Sequence, residues 1–372
     1  MSQLNVNAIR SANGTGDAIS LAAASNTCTA NITNNLSNRN LIINGAMTVA
    51  QTRGSSTTGT GIKILDRWNC YASSGSWAWT STQDTDSPDG FSNSFKIDVT
   101  TAHTPAAAEY FSLQQRIEAC DLQHLLNGSA GAKKLTLSFW VKSPKTGNHA
   151  VALYKPDNTT RIQTKTYSVS AANTWEKKTI TYDGDTAGGG ITNDNGTGLQ
   201  IDFHLAVGSD YTSTDSTSWI NYADAAWAYG HAVNITDNTA NNFYLTGVQL
   251  ETGDFGSDYC HENYGQTFRK CCRYFYAFRP AGSFWRDGYS DGNIYIPGYV
   301  WFPVQMRTNP TDVMIGTMTH GNNESGGDAL AEAPYTKQDY AYSYVRSNSS
   351  GRTYSYWNTY VDGVGFTFSA EL

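Results

Sequence analysis

Apolar and polar residues alternate with a period of two along most of this chain. In "KKLTLSFWVKS" Leu135, Leu137, Phe139 and Val141 fall on one face and Thr136, Ser138, Trp140 and Lys142 on the other. That is the pattern of a strand with one buried side. It recurs in "GIKILDRWNCYAS", "GSWAWTST", "NSFKIDVTT", "HAVALYKPD", "RIQTKTYSVS", "TWEKKTITYDG", "LQIDFHLAVGS" and "NFYLTGVQLETG". "NLIINGAMTVAQ" reads as a first strand, with Asn44-Gly45 as a turn or bulge signal. "AEYFSLQQRIEACDLQHLLNG" begins as a strand and turns helical over 117–126, closed by Asn127-Gly128. About ten short strands at regular spacing predict an antiparallel jelly-roll β-sandwich over residues 39–255. In its last strand Phe243, Leu245 and Val248 are set inward around Gly247.

The flanks differ from this core. Residues 1–38 carry almost nothing large and apolar; Val6, Ile9, Ile19, Leu21 and Ile32 recur among "NVNAIRS", "DAISLAAAS" and "CTANITNNLS". One copy buries too little surface to offset its ordering entropy. The expectation is an intertwined β-stalk shared by several copies. After a Gly/Asp hinge, "TGDFGSDY", the stretch "GQTFRKCCRYFYAFRPAG" opens a smaller C-terminal β-domain over residues 256–372. Phe268, Tyr274 and Tyr276 are expected to pack on the sandwich or on a neighbouring subunit. "AYSYVRSNSSGRTYSYW" reads as a hairpin around Ser-Ser-Gly. The fold class is therefore all-β throughout.

Composition supports this and narrows the function. Of 372 residues, 13% are aromatic and 34 are Gly, while only 15% are charged, a balance suited to pleated, half-buried surfaces and tight turns. Net charge is −7 with no long Lys/Arg run, which argues against nucleic acid as partner. No stretch reaches the roughly 18 apolar residues of a membrane span, and "MSQLNVNAIRSANGTGDAISLAAASN" lacks the charged start and apolar centre of a signal peptide. The chain is expected in the cytosol or released by lysis. Six cysteines fit no zinc spacing and read as buried free thiols, with Cys271 and Cys272 facing opposite sides of a strand.

Catalytic signals are thin. Asp84, Asp86 and Asp89, and Asp183 with Asp185, cluster as a glycan-cleaving pair would, but in turn-like stretches where Asp bonds its own backbone. The seven histidines form no metal motif, and His204 in "IDFHLAV" reads as a satisfied sheet residue. Enzymatic activity is not expected. Sugar recognition is better supplied, since flat Tyr and Trp faces cover sugar C–H faces while polar neighbours replace lost hydrogen bonds. The long insertion "SDYTSTDSTSWINYADAAWAYGH" offers Tyr211, Trp219, Tyr222, Trp227 and Tyr229 among Asp and Asn. The C-terminal hairpin offers Tyr342, Tyr344, Tyr354, Tyr356 and Trp357. Packing in the core or between subunits is the competing reading for both sets. Trp68 reads as structural, and Trp77 with Trp79 as either core or platform.

Two segments, "RNLIINGAMTVAQTRG…DRW" and "YLTGVQLETGDFGSDYCHENYGQTFRKCCRYFY", together resemble a module of bacteriophage tail-fibre and related virion proteins. "FPVQMRTNPT" and the final "GFTFSAEL" extend the resemblance over residues 39–372, and "NGAM" through "DRW" also looks like the opening of jelly-roll carbohydrate-binding modules. The resemblance implies a homotrimeric virion adhesin, assembled in the host cytoplasm, held to other virion proteins by its N-terminal segment and turned toward a host surface glycan. A capsid decoration or baseplate protein and a depolymerising tailspike are the alternatives. No cofactor is implied; for a structural calcium of the kind such modules hold near the last strand, Asn44 and Glu251 are the candidate ligands.

Overall fold

The computed structural model describes the backbone of residues 8–10, 17–22, 27–30, 39–52, 64–73, 75–278, 282–291, 295–315, 319–320, 329–347, 350–359 and 365–372. Side-chain surroundings are described for 39–52, 64–73, 75–278, 299–312, 336–341 and 366–372. At the N-terminus β1 (Ala8–Arg10), β2 (Asp17–Ala22) and β3 (Thr27–Ala30) form one antiparallel sheet, with Ile9 opposite Ile19 and Leu21 opposite Cys28. Val6 and Ile32 lie outside the described residues.

The alternating segments build a two-layer sandwich from β4 (Asn69–Ala72), β5 (Ala78–Asp84), β6 (Ser94–Thr101), β7 (Tyr110–Glu118), β8 (Leu135–Lys142), β9 (Gly147–Lys155), β10 (Arg161–Val169), β11 (Glu176–Tyr182), β12 (Thr197–Val207), β13 (Ile220–Asn221) and β14 (Asn242–Thr252). One sheet has the order β13-β10-β9-β12-β7-β4 and the other β11-β8-β14-β6-β5. Every pairing is antiparallel. Their inner faces close one core: Phe111, Leu113, Val151, Leu153, Ile201 and Phe203 meet Phe95, Ile97, Leu137, Phe139, Val141 and Leu245. Phe139 and Phe203 touch edge to face, centroids 5.1 Å apart. Each such ring contributes roughly 1.5–3 kcal/mol by leaving water. Trp68, Trp77 and Trp79 are all buried, so the last two are core and not a platform.

Two expected elements differ. "NLIINGAMTVAQ" holds no strand; it is a knot of turns in which Asn44 and Met47 take positive φ. The Asn44 carboxamide explains why. It donates to the Val49 and Asp66 carbonyls and accepts from the Thr48 and Val49 N–H groups, a local alternative to ladder bonds. Gly45 packs so tightly on β14 that a Cβ would enter the Val248 carbonyl. The helical turn after β7 is a 3-10 helix, Ala119–Leu125, and Leu126 takes the left-handed position ahead of Gly128.

The "FRKCC" stretch is helical, not extended. The helix α1 (Tyr264–Cys272) starts with a capping box in which Asn263 and Gln266 satisfy each other's backbone N–H. Cys271 and Cys272 therefore do not straddle a sheet; both are buried free thiols, as is Cys70, whereas Cys120 is exposed. After α1, strands β15 (Phe275–Phe278), β16 (Gly282–Asp291), β17 (Tyr295–Trp301), β18 (Thr311–Ile315), β19 (Thr319–His320), β20 (Ala329–Thr336), β21 (Tyr340–Ser347), β22 (Ser350–Thr359) and β23 (Gly365–Ser369) form three three-stranded sheets. The predicted hairpin is not one. β21 pairs with β17 and β20, while β22 pairs with β16 and β19.

The sandwich and the C-terminal strands are bolted together through the resemblance motifs. Gln51 donates to the Phe275 carbonyl at 2.8 Å and accepts from Ala277 N–H at 3.0 Å. The Asp66 carboxylate holds Gln51, and burial pushes its pKa up to about 7. Arg67 pairs with Glu371 and lies 3.5 Å over the Tyr274 ring. Trp68 donates its indole N–H to the Asn44 carbonyl at 3.1 Å. Tyr274 is buried as expected, and its hydroxyl donates to Glu118 at 2.8 Å.

Candidate functional site

The outward positions of the six-stranded sheet are unusually polar and aromatic for a packed strand. On β7 these are Tyr110, Ser112, Gln114 and Arg116; on β12, Gln200, Asp202 and His204. The register sets Arg116 beside Gln200 and Gln200 beside Tyr154, and in the next row Asn69 beside Gln114 and Gln114 beside Asp202.

The insertion after β12 folds back over this face. Thr164 donates to the Ala226 and Trp227 carbonyls, and Trp227 packs on Ala152 and Ile162. The result is a groove of about 320 Å³ lined by Tyr71, Tyr110, Gln114, Arg116, Tyr154, Gln200, Tyr211, Tyr222, Asp224 and Trp227. Its walls are paired rings: Tyr71 stacks on Tyr110 at 5.6 Å, Tyr154 meets Tyr222 edge-on at 5.1 Å, and Tyr110 meets Trp227 at 4.7 Å. These tyrosines are half-buried.

The polar floor is pre-organised. Asp202 is fully buried and accepts from Gln114 at 3.2 Å, Gln200 at 3.0 and 2.9 Å, and the Trp227 indole N–H at 3.3 Å. Burial lifts its pKa to about 6, against those donors and Arg116, which pull it down. Gln200 in turn accepts from Arg116 Nε at 2.9 Å. At the rim the Tyr222 hydroxyl donates to Asp224 at 2.8 Å. Burial and that carboxylate raise the Tyr222 pKa.

Of the residues singled out in the sequence, Tyr211, Tyr222 and Trp227 are brought together in this groove. Trp219 is not; it donates to the Asp183 carbonyl at 2.6 Å and packs on the main core. Tyr229 is half-buried and outside the lining. Tyr354, Tyr356 and Trp357 sit on β22, and Tyr342 and Tyr344 on β21; their side chains lie outside the described residues. Sequence reasoning missed Tyr71, Tyr110, Tyr154, Gln114, Arg116, Gln200 and Asp202. The signal was present: "YFSLQQRIE" and "LQIDFHLAV" place Gln, Arg and Asp in mid-strand, where charge is otherwise expensive.

Other candidates resolve into structure. Asp86 accepts from Lys142 and from the Trp175 indole, and Asp185, instead of sitting in a solvated turn, is buried against Lys155 and Arg161. His204 is buried with neither ring nitrogen hydrogen-bonded, so it is not satisfied as expected. Among the described residues Glu118, Cys120 and Asp121 approach each other closely enough to share an ion, yet the Glu118 carboxylate is taken by Arg273 and Tyr274. Asn44 and Glu251 do not fit calcium ligation. Asn44 is saturated as described, and Glu251 accepts from Ser257 N–H, Ser257 Oγ and Gln249.

No family model and no curated protein matches the sequence. Several solved structures are similar to part of the chain. The enzymatically active domain of a bacteriophage CBA120 tailspike protein is 13% identical, matching 57% of this chain and 21% of its own, at a TM-score of 0.31. A carbohydrate-binding module of family 4 is 14% identical over 56% of this chain and 98% of its own, at 0.28. A family 11 carbohydrate-binding module from a cellulosomal cellulase of Clostridium thermocellum is 13% identical over 55% and 98%, also at 0.28. This chain thus spans about a fifth of the tailspike domain and nearly all of the two modules.

Proposed function

We propose that the chain binds a glycan along the groove on the six-stranded sheet, without cleaving it. The carrying observation is the groove's combination of half-buried, mutually braced tyrosines with a fixed floor of Gln114, Gln200, Asp202 and Arg116. Apolar walls remove sugar C–H faces from water, and the floor returns hydrogen bonds to hydroxyls. Both groove carboxylates are already engaged, Asp202 beneath the floor and Asp224 by Tyr222, which favours holding over hydrolysis. The sequence resemblance supports the setting: a homotrimeric tail-fibre-type adhesin on a virion, contacting a host surface glycan, with the small-residue segment of β1–β3 shared between copies. Triplicated weak sites would then act by avidity.

The test is a glycan array with the purified chain and a Tyr154→Ala/Tyr222→Ala double variant, alongside native mass. Binding by the parent, its loss in the variant, a trimeric mass and no release of reducing ends are expected. A parent that binds no glycan, or a variant that binds equally well, removes the groove from consideration; a monomer removes the shared stalk.

A further inference from the structure

The groove contains one cation that the protein leaves open. Arg67, Arg161 and Arg273 each pair with a carboxylate, from Glu371, Asp185 and Glu118. Arg116 does not. Its side chain makes a single hydrogen bond, from Nε to Gln200, and among the described residues no carboxylate reaches its guanidinium. The nearby acids are committed elsewhere: Asp202 to Gln114, Gln200 and Trp227, Asp224 to Tyr222, and Glu371 to Arg67. Arg116 is half-buried, so part of its hydration has been given up. The Nε bond orients the guanidinium plane within the groove lining, and among the described residues neither Nη group, the prongs of a planar fork, makes a hydrogen bond.

Such a fork matches the two oxygens of a carboxylate better than scattered hydroxyls. We infer that the groove selects an acidic glycan, with a sugar carboxylate seated on the Arg116 Nη groups while neighbouring rings lie against Tyr71 and Tyr154. This rests on the glycan reading of the groove and names the ligand class for it. With a net charge of −7 the chain does not attract polyanions at long range, so the preference comes from contact with Arg116 itself.

The experiment uses the purified full chain and a panel of uronate-containing polysaccharides, each beside its carboxyl-reduced twin, in which –COOH has become –CH2OH on the same ring. The expected result is that the tightest ligand is acidic and loses about tenfold or more in affinity on reduction. Arg116→Gln should lose the same factor for the acidic form and distinctly less for the twin, which loses only a hydroxyl contact, and Arg116→Lys should keep part of it. Equal binding of both twins, a neutral best ligand, or an Arg116→Gln loss that is the same for both forms would overturn the inference and leave the groove standing. Binding of no member at all overturns the groove reading and this inference together.

Discussion

The indole N–H of Trp227 donates to the Asp202 carboxylate at 3.3 Å, and this bond ties the groove's covering loop to its floor. Tyr154, by contrast, is half-exposed in the wall, edge-on to Tyr222 and resting on the small apolar cluster beneath the loop. The two aromatics should therefore fail differently. Tyr154→Ala removes contact area from a half-exposed position and should weaken glycan binding about tenfold with little change in Tm. Trp227→Ala should cost about 3 kcal/mol of stability as well, since it empties a buried site and frees a buried carboxylate. Paired calorimetric binding and thermal unfolding separate them; equal Tm losses would contradict the assignment.

Asp202 should make binding pH-sensitive. Burial raises its folded pKa to about 6 from an ordinary 3.8. For a raised acid, the favourable contribution is complete below 3.8 and is lost as pH rises through about 6, so ionised Asp202 is a cost to the fold at pH 7. What the charge supplies is four acceptor contacts that hold Gln114, Gln200 and Trp227. A proton turns one acceptor into a donor facing a donor, which loosens Gln200 and with it Arg116. Affinity should fall as pH drops from 7 to 5, with the midpoint that carboxyl NMR gives for Asp202. Asp202→Asn should bind at pH 7 as the parent does at pH 5 and lose the pH dependence; an unaltered profile would sink this account.

Trp219 offers a control. Its indole N–H donates inward to Asp183 and its ring leans on the core. Trp219→Ala should lower Tm and leave glycan affinity within about twofold. A selective loss of binding would mean that the groove extends to β13.

The sandwich was legible because period-two alternation is a direct image of one buried face: "KKLTLSFWVKS" became β8 with the expected residues inward. The site was legible only where aromatics stood out in a long insertion, as Tyr211, Tyr222 and Trp227 did. Its other wall comes from strand residues such as Tyr110 and Tyr154, whose outward positions look like ordinary alternation until the register lines them up. α1 was hidden by its length and its cysteines, although the capping pair Asn263 and Gln266 announced it. The false hairpin of β21 and β22 shows the opposite limit: a local turn signal cannot reveal that each strand pairs with distant chain.

The seam depends on an ion pair whose acid is buried and whose Arg273 is half-buried. The Glu118 side chain is fully buried and takes bonds from Arg273 and Tyr274. Burial raises its pKa, but those bonds outweigh it and leave it below 4.5. This stability is present above pH 4.5 and lost as pH falls below it. Glu118→Gln should cost about 1–2 kcal/mol at pH 7, because Arg273 loses its counter-charge but, being a third exposed, keeps water. Chemical denaturation checks the size, and limited proteolysis should cut first near α1.

Behind the covering loop lie three histidines, His149, His204 and His231, with the His231 ring 5.9 Å from His149 and 6.3 Å from His204. His204 packs edge-on against Trp227 at 4.9 Å. Burial lowers all three: His149 to about 4, His204 to about 3 despite the nearby Trp227 carbonyl, and His231 well below 6.5, where its two neighbours add to the effect. The sign follows from which state takes the proton first. The unfolded chain protonates near 6.5 while the native one stays neutral, so stability is whole above 6.5 and drains as pH falls, until the native rings protonate near 4 and 3. Each histidine adds about 1.4 kcal/mol per pH unit in that window. Urea unfolding between pH 6.5 and 4.5 should show the three histidine protons offset by those that native Asp66 and Asp202 take up in the same range, a net slope of about one proton, with the loop as the first region to lose hydrogen-exchange protection. His204→Phe keeps the ring contact with Trp227 and removes one proton from the slope. A slope unchanged in that variant would show that acid sensitivity arises elsewhere in the sandwich.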